Sequence, residues 1–201
     1  MGERTWDRVH GFLRRIASTG VVWSLGLASL FVLLWINAWG LPGALHNDAL
    51  RQTGLLDMTI NYSPELAYAK LTAYGEQGRY AYRLFLDYVD SFFPALYGAF
   101  FLLGTTYAFA RVFPGRSVWQ KLSFLTLSTT FFDYAENFCF LAMLRHFPER
   151  LDTLARVANV FTLTKWAFAI FSMVLVMIGA GGLAFRRNMR SQLAGATGKH
   201  R

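Results

Sequence analysis

Four apolar stretches, each long enough to cross a bilayer as a helix, constrain this chain more than anything else in it. They run over 21–39, 88–112, 122–144 and 157–185. Each reaches the ~20 residues that a helix needs to cover ~30 Å of hydrocarbon. They are continuous rather than alternating, so they read as helices and not as strands of a barrel. With 54% hydrophobic residues and positive mean hydropathy, the expectation is an all-α integral membrane bundle of four transmembrane helices, with short extramembrane helices on the outer side. The whole chain, 1–201, reads as a single four-span domain.

The net charge of +8 would suit a nucleic-acid binder, but the charges are placed otherwise. Twelve of the twenty basic residues fall on one side of the spans: Arg4, Arg8, Arg14, Arg15, Arg111, Arg116, Lys121, Arg186, Arg187, Arg190, Lys199 and Arg201. Only Glu3 and Asp7 oppose them there. The other side carries seven basic and eight acidic residues, counting Asp90. This bias places both termini in the cytoplasm of a plasma or bacterial inner membrane. The basic leader, 1–20, and the basic tail, 186–201, then sit against anionic headgroups. Membrane lipids are the expected partners, nucleic acid is not, and self-association is left open.

Trp6, Val9, Leu13 and Ile16 share one face of a short amphipathic leader helix that would lie in the interface. Ala38-Trp39-Gly40 is a small-x-small site, but the apolar run before it exceeds a signal-peptide core, so the first stretch reads as a span. Gly40, Pro42 and Gly43 then break the helix. Residues 41–86 form the outer helical segment. Ser63-Pro64-Glu65 opens a helix that should stop at Gly75. A second helix should start near Glu76 and run into span two. Pro94 should kink it below Asp87 and Asp90, and Tyr97 continues their face. Trp39, Tyr62 and Trp119 read as interface-belt aromatics. Gly179 to Gly182 would permit close helix packing at the inner end of span four.

Span three carries the feature with chemical content. Thr126, Thr129, Thr130, Asp133, Glu136 and Asn137 fall within roughly a third of the circumference at ~100° per residue. The rest of its surface is apolar. Two carboxylates within a membrane helix mark a functional site or a network facing protein. Counting ~1.5 Å per residue from the outer ends puts Glu136 ~16 Å, Asp133 ~20 Å and Lys165 of span four ~12 Å inward. Lys165 can therefore reach Glu136, and pairing is the normal remedy for a charge at that depth. Asp133, Glu136 and Lys165 are the candidate acid–base residues. Asn137, Asp90, Asp87, Tyr97, Trp166, Thr130 and Thr162 are candidate ligand contacts.

The single Cys139 offers no intrachain disulfide, and no zinc-type spacing, phosphate loop, dinucleotide fingerprint or nucleophile elbow occurs. His46 with Asp48 and His146 with Glu149 match no ligand motif, so neither metal nor cofactor is expected. The leading expectation is an outward-opening polar pocket that binds a lipid-like or amphipathic small molecule, with its transformation left open. A proton-coupled carrier and a non-catalytic scaffold are the alternatives.

Overall fold

The structure, a computed structural model, describes residues 3–37, 48–115 and 117–198. Trp39, the helix break at Gly40, Pro42 and Gly43, and His46 lie outside the described residues, as do Arg116, Lys199 and Arg201. Among the described residues every regular element is helical. In order they are α1 (Glu3–Ile16), α2 (Thr19–Trp35), α3 (Asp48–Thr53), α4 (Pro64–Ala73), α5 (Gly75–Leu84), a π-helical turn (Phe85–Val89), α6 (Phe93–Val112), α7 (Ser117–Leu125), α8 (Leu127–His146) and α9 (Asp152–Gly198).

Local chemistry sets several of these boundaries. The Ser18 hydroxyl caps α2 by accepting from Val21 N at 3.3 Å. It follows a bend of 77° between α1 and α2. Ser63 caps α4 in the same way through Leu66 N, with Pro64 in the first turn, where its missing N–H costs nothing. Gly75, at φ 65°, takes the left-handed conformation that separates α4 from α5. The helix entering span two is not simply kinked at Pro94. It widens into the π turn, breaks across 90–92, and restarts at Phe93 with Pro94 in its first turn.

Helices α6, α8 and α9 pack on one another pairwise, and α2 packs on α6. Small residues let the helices approach. A Cβ on Gly98 would stand 2.1 Å from Thr130 Oγ1, and Cβ atoms on Gly179 and Gly182 would stand 2.6 Å from Ala108 and Val112 on α6. Helix α1 lies against α6 and α7 through Trp6, His10 and Leu13, with Ala17 just past its end. Val9 and Ile16, expected on that face, are exposed instead. Trp119 is no free belt residue. It stacks on Phe113 at 4.4 Å and closes an aromatic group with Phe109.

Segment 48–74 folds over one end of the α5–α6–α8–α9 group. Lys70 Nζ donates to the carbonyls of Thr53 and Gly54, and the Tyr74 hydroxyl donates to Gly54 O at 2.9 Å. Leu151 N donates to the Tyr68 hydroxyl at 2.6 Å, and Tyr62 N donates to Asn159 Oδ1 at 3.1 Å. Leu55, Leu56 and Tyr62 are buried by this arrangement, so Tyr62 is core rather than an interface anchor.

Two helical stretches, Gly75–Val112 and Asp152–Leu193, are long and apolar enough to cross a membrane, and the bent α1–α2 pair makes a third when taken as one span. This is consistent with a membrane protein. Helix α8 has 20 residues but does not join them, because the polar stripe lowers its apolarity. Apolar length therefore accounts for two or three spans among the described residues.

Candidate functional site

The polar stripe of α8 is consumed on both sides. Toward α6, the Thr130 hydroxyl donates to Pro94 O at 2.9 Å. The Tyr97 hydroxyl donates to Asp133 Oδ2 at 2.5 Å. Asn137 Nδ2 donates to Asp90 Oδ2 at 2.8 Å and to its carbonyl at 3.3 Å. Toward α9, the Thr129 hydroxyl meets Ser172 Oγ at 3.4 Å. Glu136 Oε1 accepts from the Thr162 hydroxyl, and Glu136 Oε2 forms a close ion pair with Lys165 Nζ. Lys165 Nζ also donates to Asp133 Oδ1 at 3.3 Å. Thr126 instead turns its hydroxyl onto Ser123 O at the start of the helix.

Lys165 thus bridges two carboxylates one turn apart. It does not take Glu136 alone, as its depth in the sequence suggested. Asn137 does not hydrogen-bond Asp133; it fixes Asp90. Thr162 passes the network onward, because Tyr62 OH lies 3.4 Å from its hydroxyl. The result is a continuous chain from Tyr62 through Thr162, Glu136, Lys165 and Asp133 to Tyr97.

Asn137 and Asp90 form a separate pair beside this chain, and Asp87, Trp166 and Thr130 bond to none of its members. Asp87 pairs with Arg83 at 3.4 Å on an exposed face. The π turn explains this. Each residue there advances by less than the α-helical ~100°, so Asp87 and Asp90 no longer share a face. Trp166 sits beside Lys165 in sequence, but its buried indole N–H has no partner and does not touch the carboxylates. Thr130 binds backbone and spaces α8 from α6; it is framework.

One residue was missed. Asp57, in the segment folded over the bundle, is buried and accepts from the Tyr82 hydroxyl at 3.2 Å. Burial pushes its carboxyl above the usual range, while Lys165 pulls it down and Asp133 pushes it up. Asp57 therefore belongs electrostatically to the same cluster. Its only signal in the sequence was a lone acid after Leu55 and Leu56, with no helical period to locate it.

The cluster holds four buried carboxyl groups, Asp57, Asp90, Asp133 and Glu136, against one buried ammonium, Lys165. Fully ionised, it would carry a formal excess of three negative charges. An apolar interior tolerates such an excess only when protons or cations offset it. Asn137 Oδ1 adds a buried acceptor without a partner. The site is sealed: Glu136 is 0% exposed and Asp133 5%. Two surface clefts lie elsewhere, one of about 300 Å³ lined by Arg14, Thr106, Tyr107, Ala110 and Arg111, and one of about 340 Å³ beside Tyr68 and Phe147. Among the described residues no group of acids, His or Cys has the arrangement of a metal site.

Compared with protein-family models, curated proteins and solved structures, the chain matches none.

Removing Lys165 strands two carboxylates. Lys165→Met should lower stability in detergent by about 3–5 kcal/mol. Adding only Glu136→Gln should recover part of it, and adding Asp133→Asn as well should recover most. Chemical unfolding of the four proteins checks this; equal stability of single and triple variants would contradict the bridge. Asp57 gives a pH test. A carboxyl whose value is raised by folding contributes stability that is complete below its unfolded value and is lost as pH rises through its folded value. Asp57→Asn should therefore gain stability relative to the parent as pH rises from acid to neutral, read as a growing difference in thermal midpoint. A difference that does not change with pH would contradict the burial of an ionisable Asp57.

Proposed function

We propose that this chain is a four-span membrane protein whose buried Asp133–Glu136–Lys165 cluster binds an amphipathic small molecule through a cationic or hydrogen-bond-donating head. The excess of carboxyl groups over cations in a sealed, largely apolar site is the observation that carries this reading. A head bearing N–H or positive charge would offset it. The surrounding Tyr62, Tyr82, Tyr97 and Phe140 rings supply an apolar wall of the kind such a molecule needs.

The α8 helix is the fourth span in this reading. Its carboxylates are not lipid-facing, so the low apolarity of the helix does not bar it from the bilayer. Its aromatic side, Phe131 and Phe138, faces outward. Both termini are placed on the basic, cytoplasmic side. Entry requires the segment over Asp57 and Tyr62 to move, because the cluster is closed beneath it. Asp133, touched by both Tyr97 and Lys165, is the residue proposed to accept a hydrogen bond from the bound head, with Glu136 and Lys165 beside it.

The continuous hydrogen-bonded chain also suits a proton-coupled carrier. Toward the basic end, however, the buried polar side chains of α6, α8 and α9 are hydroxyls: Thr105, Thr106, Thr129 and Ser172. A carrier would need a titratable route there, so binding is the stronger reading.

Three probes with one tail and different heads separate the possibilities: dodecylamine, dodecanol and dodecanoate. The amine should raise the thermal midpoint of the purified protein in maltoside detergent. At ~100 times the dissociation constant the gain is about 2.7 kcal/mol. Asp133→Asn, which keeps size and an acceptor for Tyr97, should fold normally and lose most of the gain. Equal gains from all three probes would contradict the reading. So would an Asp133→Asn variant as unstable as Lys165→Met, which would make the carboxylate framework.

A further inference from the structure

We propose that the cleft between α1 and α6 is a binding site for a phosphate group, supplied by the headgroup of an anionic phospholipid. It is far from the carboxylate cluster in composition and does not depend on the reading of that cluster. The 77° bend between α1 and α2 brings the last turn of α1, with Arg14, beside the last turn of α6, with Arg111. The two guanidinium groups flank a cleft of about 300 Å³ whose remaining walls are Thr106, Tyr107 and Ala110. No carboxylate lines it, and among the described residues neither arginine forms an ion pair.

The donors are partly fixed in advance. Arg111 lies over the Tyr107 ring at 3.6 Å and donates one N–H to Tyr107 O at 3.0 Å. A guanidinium has five N–H donors in a rigid fork, so donors remain for a ligand. Tyr107 OH is itself held by Thr19 Oγ1 at 2.6 Å. At the base of the cleft Thr106 is 1% exposed and its hydroxyl has no hydrogen-bond partner. A buried, unpartnered hydroxyl in a cleft that two arginines also line is costly unless something accepts its proton. A phosphate oxygen would satisfy it, and forked guanidinium groups match the remaining phosphate oxygens.

The setting points to a lipid as the source. Arg111 ends the apolar run of α6, where a spanning helix meets the headgroups. Val9, Phe12 and Ile16 on the exposed side of α1 give that helix an apolar surface for the acyl boundary. Arg186 Nη1 donates to Arg111 O at 2.5 Å and adds positive charge behind the cleft.

Native mass spectrometry of the full chain released from detergent, with short-chain phosphatidylglycerol and phosphatidylcholine as probes, tests the site. One phosphatidylglycerol per chain should bind about tenfold or more tightly than phosphatidylcholine, the range expected for charged hydrogen bonds. Arg14→Gln with Arg111→Gln should abolish the difference. Thr106→Val, which keeps shape and removes only the hydroxyl, should weaken phosphatidylglycerol several-fold while leaving the protein folded. Arg187→Gln, outside the cleft, should change nothing. Millimolar inorganic phosphate should leave phosphatidylglycerol bound; full displacement by it would overturn the lipid as the source and assign the cleft to free phosphate. Equal binding of the two lipids, or undiminished preference in the double arginine variant, would overturn the proposal.

Discussion

Everything in this bundle turns on one ammonium group. Lys165 stands between Asp133 and Glu136 in a setting that excludes water, and no second buried lysine or arginine shares the load among the described residues. A helix with two carboxylates on one face has no place in hydrocarbon alone. It becomes admissible when that face closes on α9, which supplies the cation and two hydroxyls, and on α6, which supplies Tyr97 and the carbonyl of Pro94. The ion pair also fixes register, because sliding α9 by one turn would separate Lys165 from both partners. Buried ionic contacts add little net stability over a well-packed apolar core, so their retention here is better explained by specificity or by a ligand.

The two ends of the molecule differ in kind. The carboxylate-rich cluster lies under the 48–74 segment and is closed. The opposite end gathers Arg14, Arg111 and Arg186, and has a cleft open to the surroundings. Charge of opposite sign is thus divided along the bundle, the acidic part in the interior and the basic part at the exposed opposite end. Such a division suits a protein that holds something at one end while the other is anchored in an anionic leaflet.

How much of this was legible depends on whether a residue lies on a regular helix. The α8 stripe was legible because helical period alone places Asp133, Glu136 and Asn137 on one face. Lys165 was legible by depth, although depth could not show that it meets two carboxylates. Asp90 joins the buried cluster as expected of its place above Pro94, whereas Asp87 turns away with Arg83, because the π turn over Phe85–Val89 breaks the period that put the two on one face. Asp57 was invisible for a related reason: a segment without period places its side chains by tertiary contact only. Tyr62 and Trp119 look like membrane-interface anchors by composition, yet one is held by Asn159 and Thr162 and the other by Phe113. The start of the third apolar stretch was also drawn too early, since α7 ends at Leu125 and Thr126 bonds back onto Ser123 before α8 begins.

In the proposed arrangement α8 stands in the bilayer with its aromatic side toward lipid and its charged side sealed against α6 and α9. Spin labels placed singly at 131, 133, 136 and 138 in reconstituted protein lacking Cys139 test it through collision with oxygen and with a water-soluble nickel chelate. Labels at 131 and 138, where Phe131 and Phe138 are exposed, should collide with oxygen and not with nickel, while labels at 133 and 136 should meet neither. Strong nickel collision at 138 would put this helix in water and contradict the account.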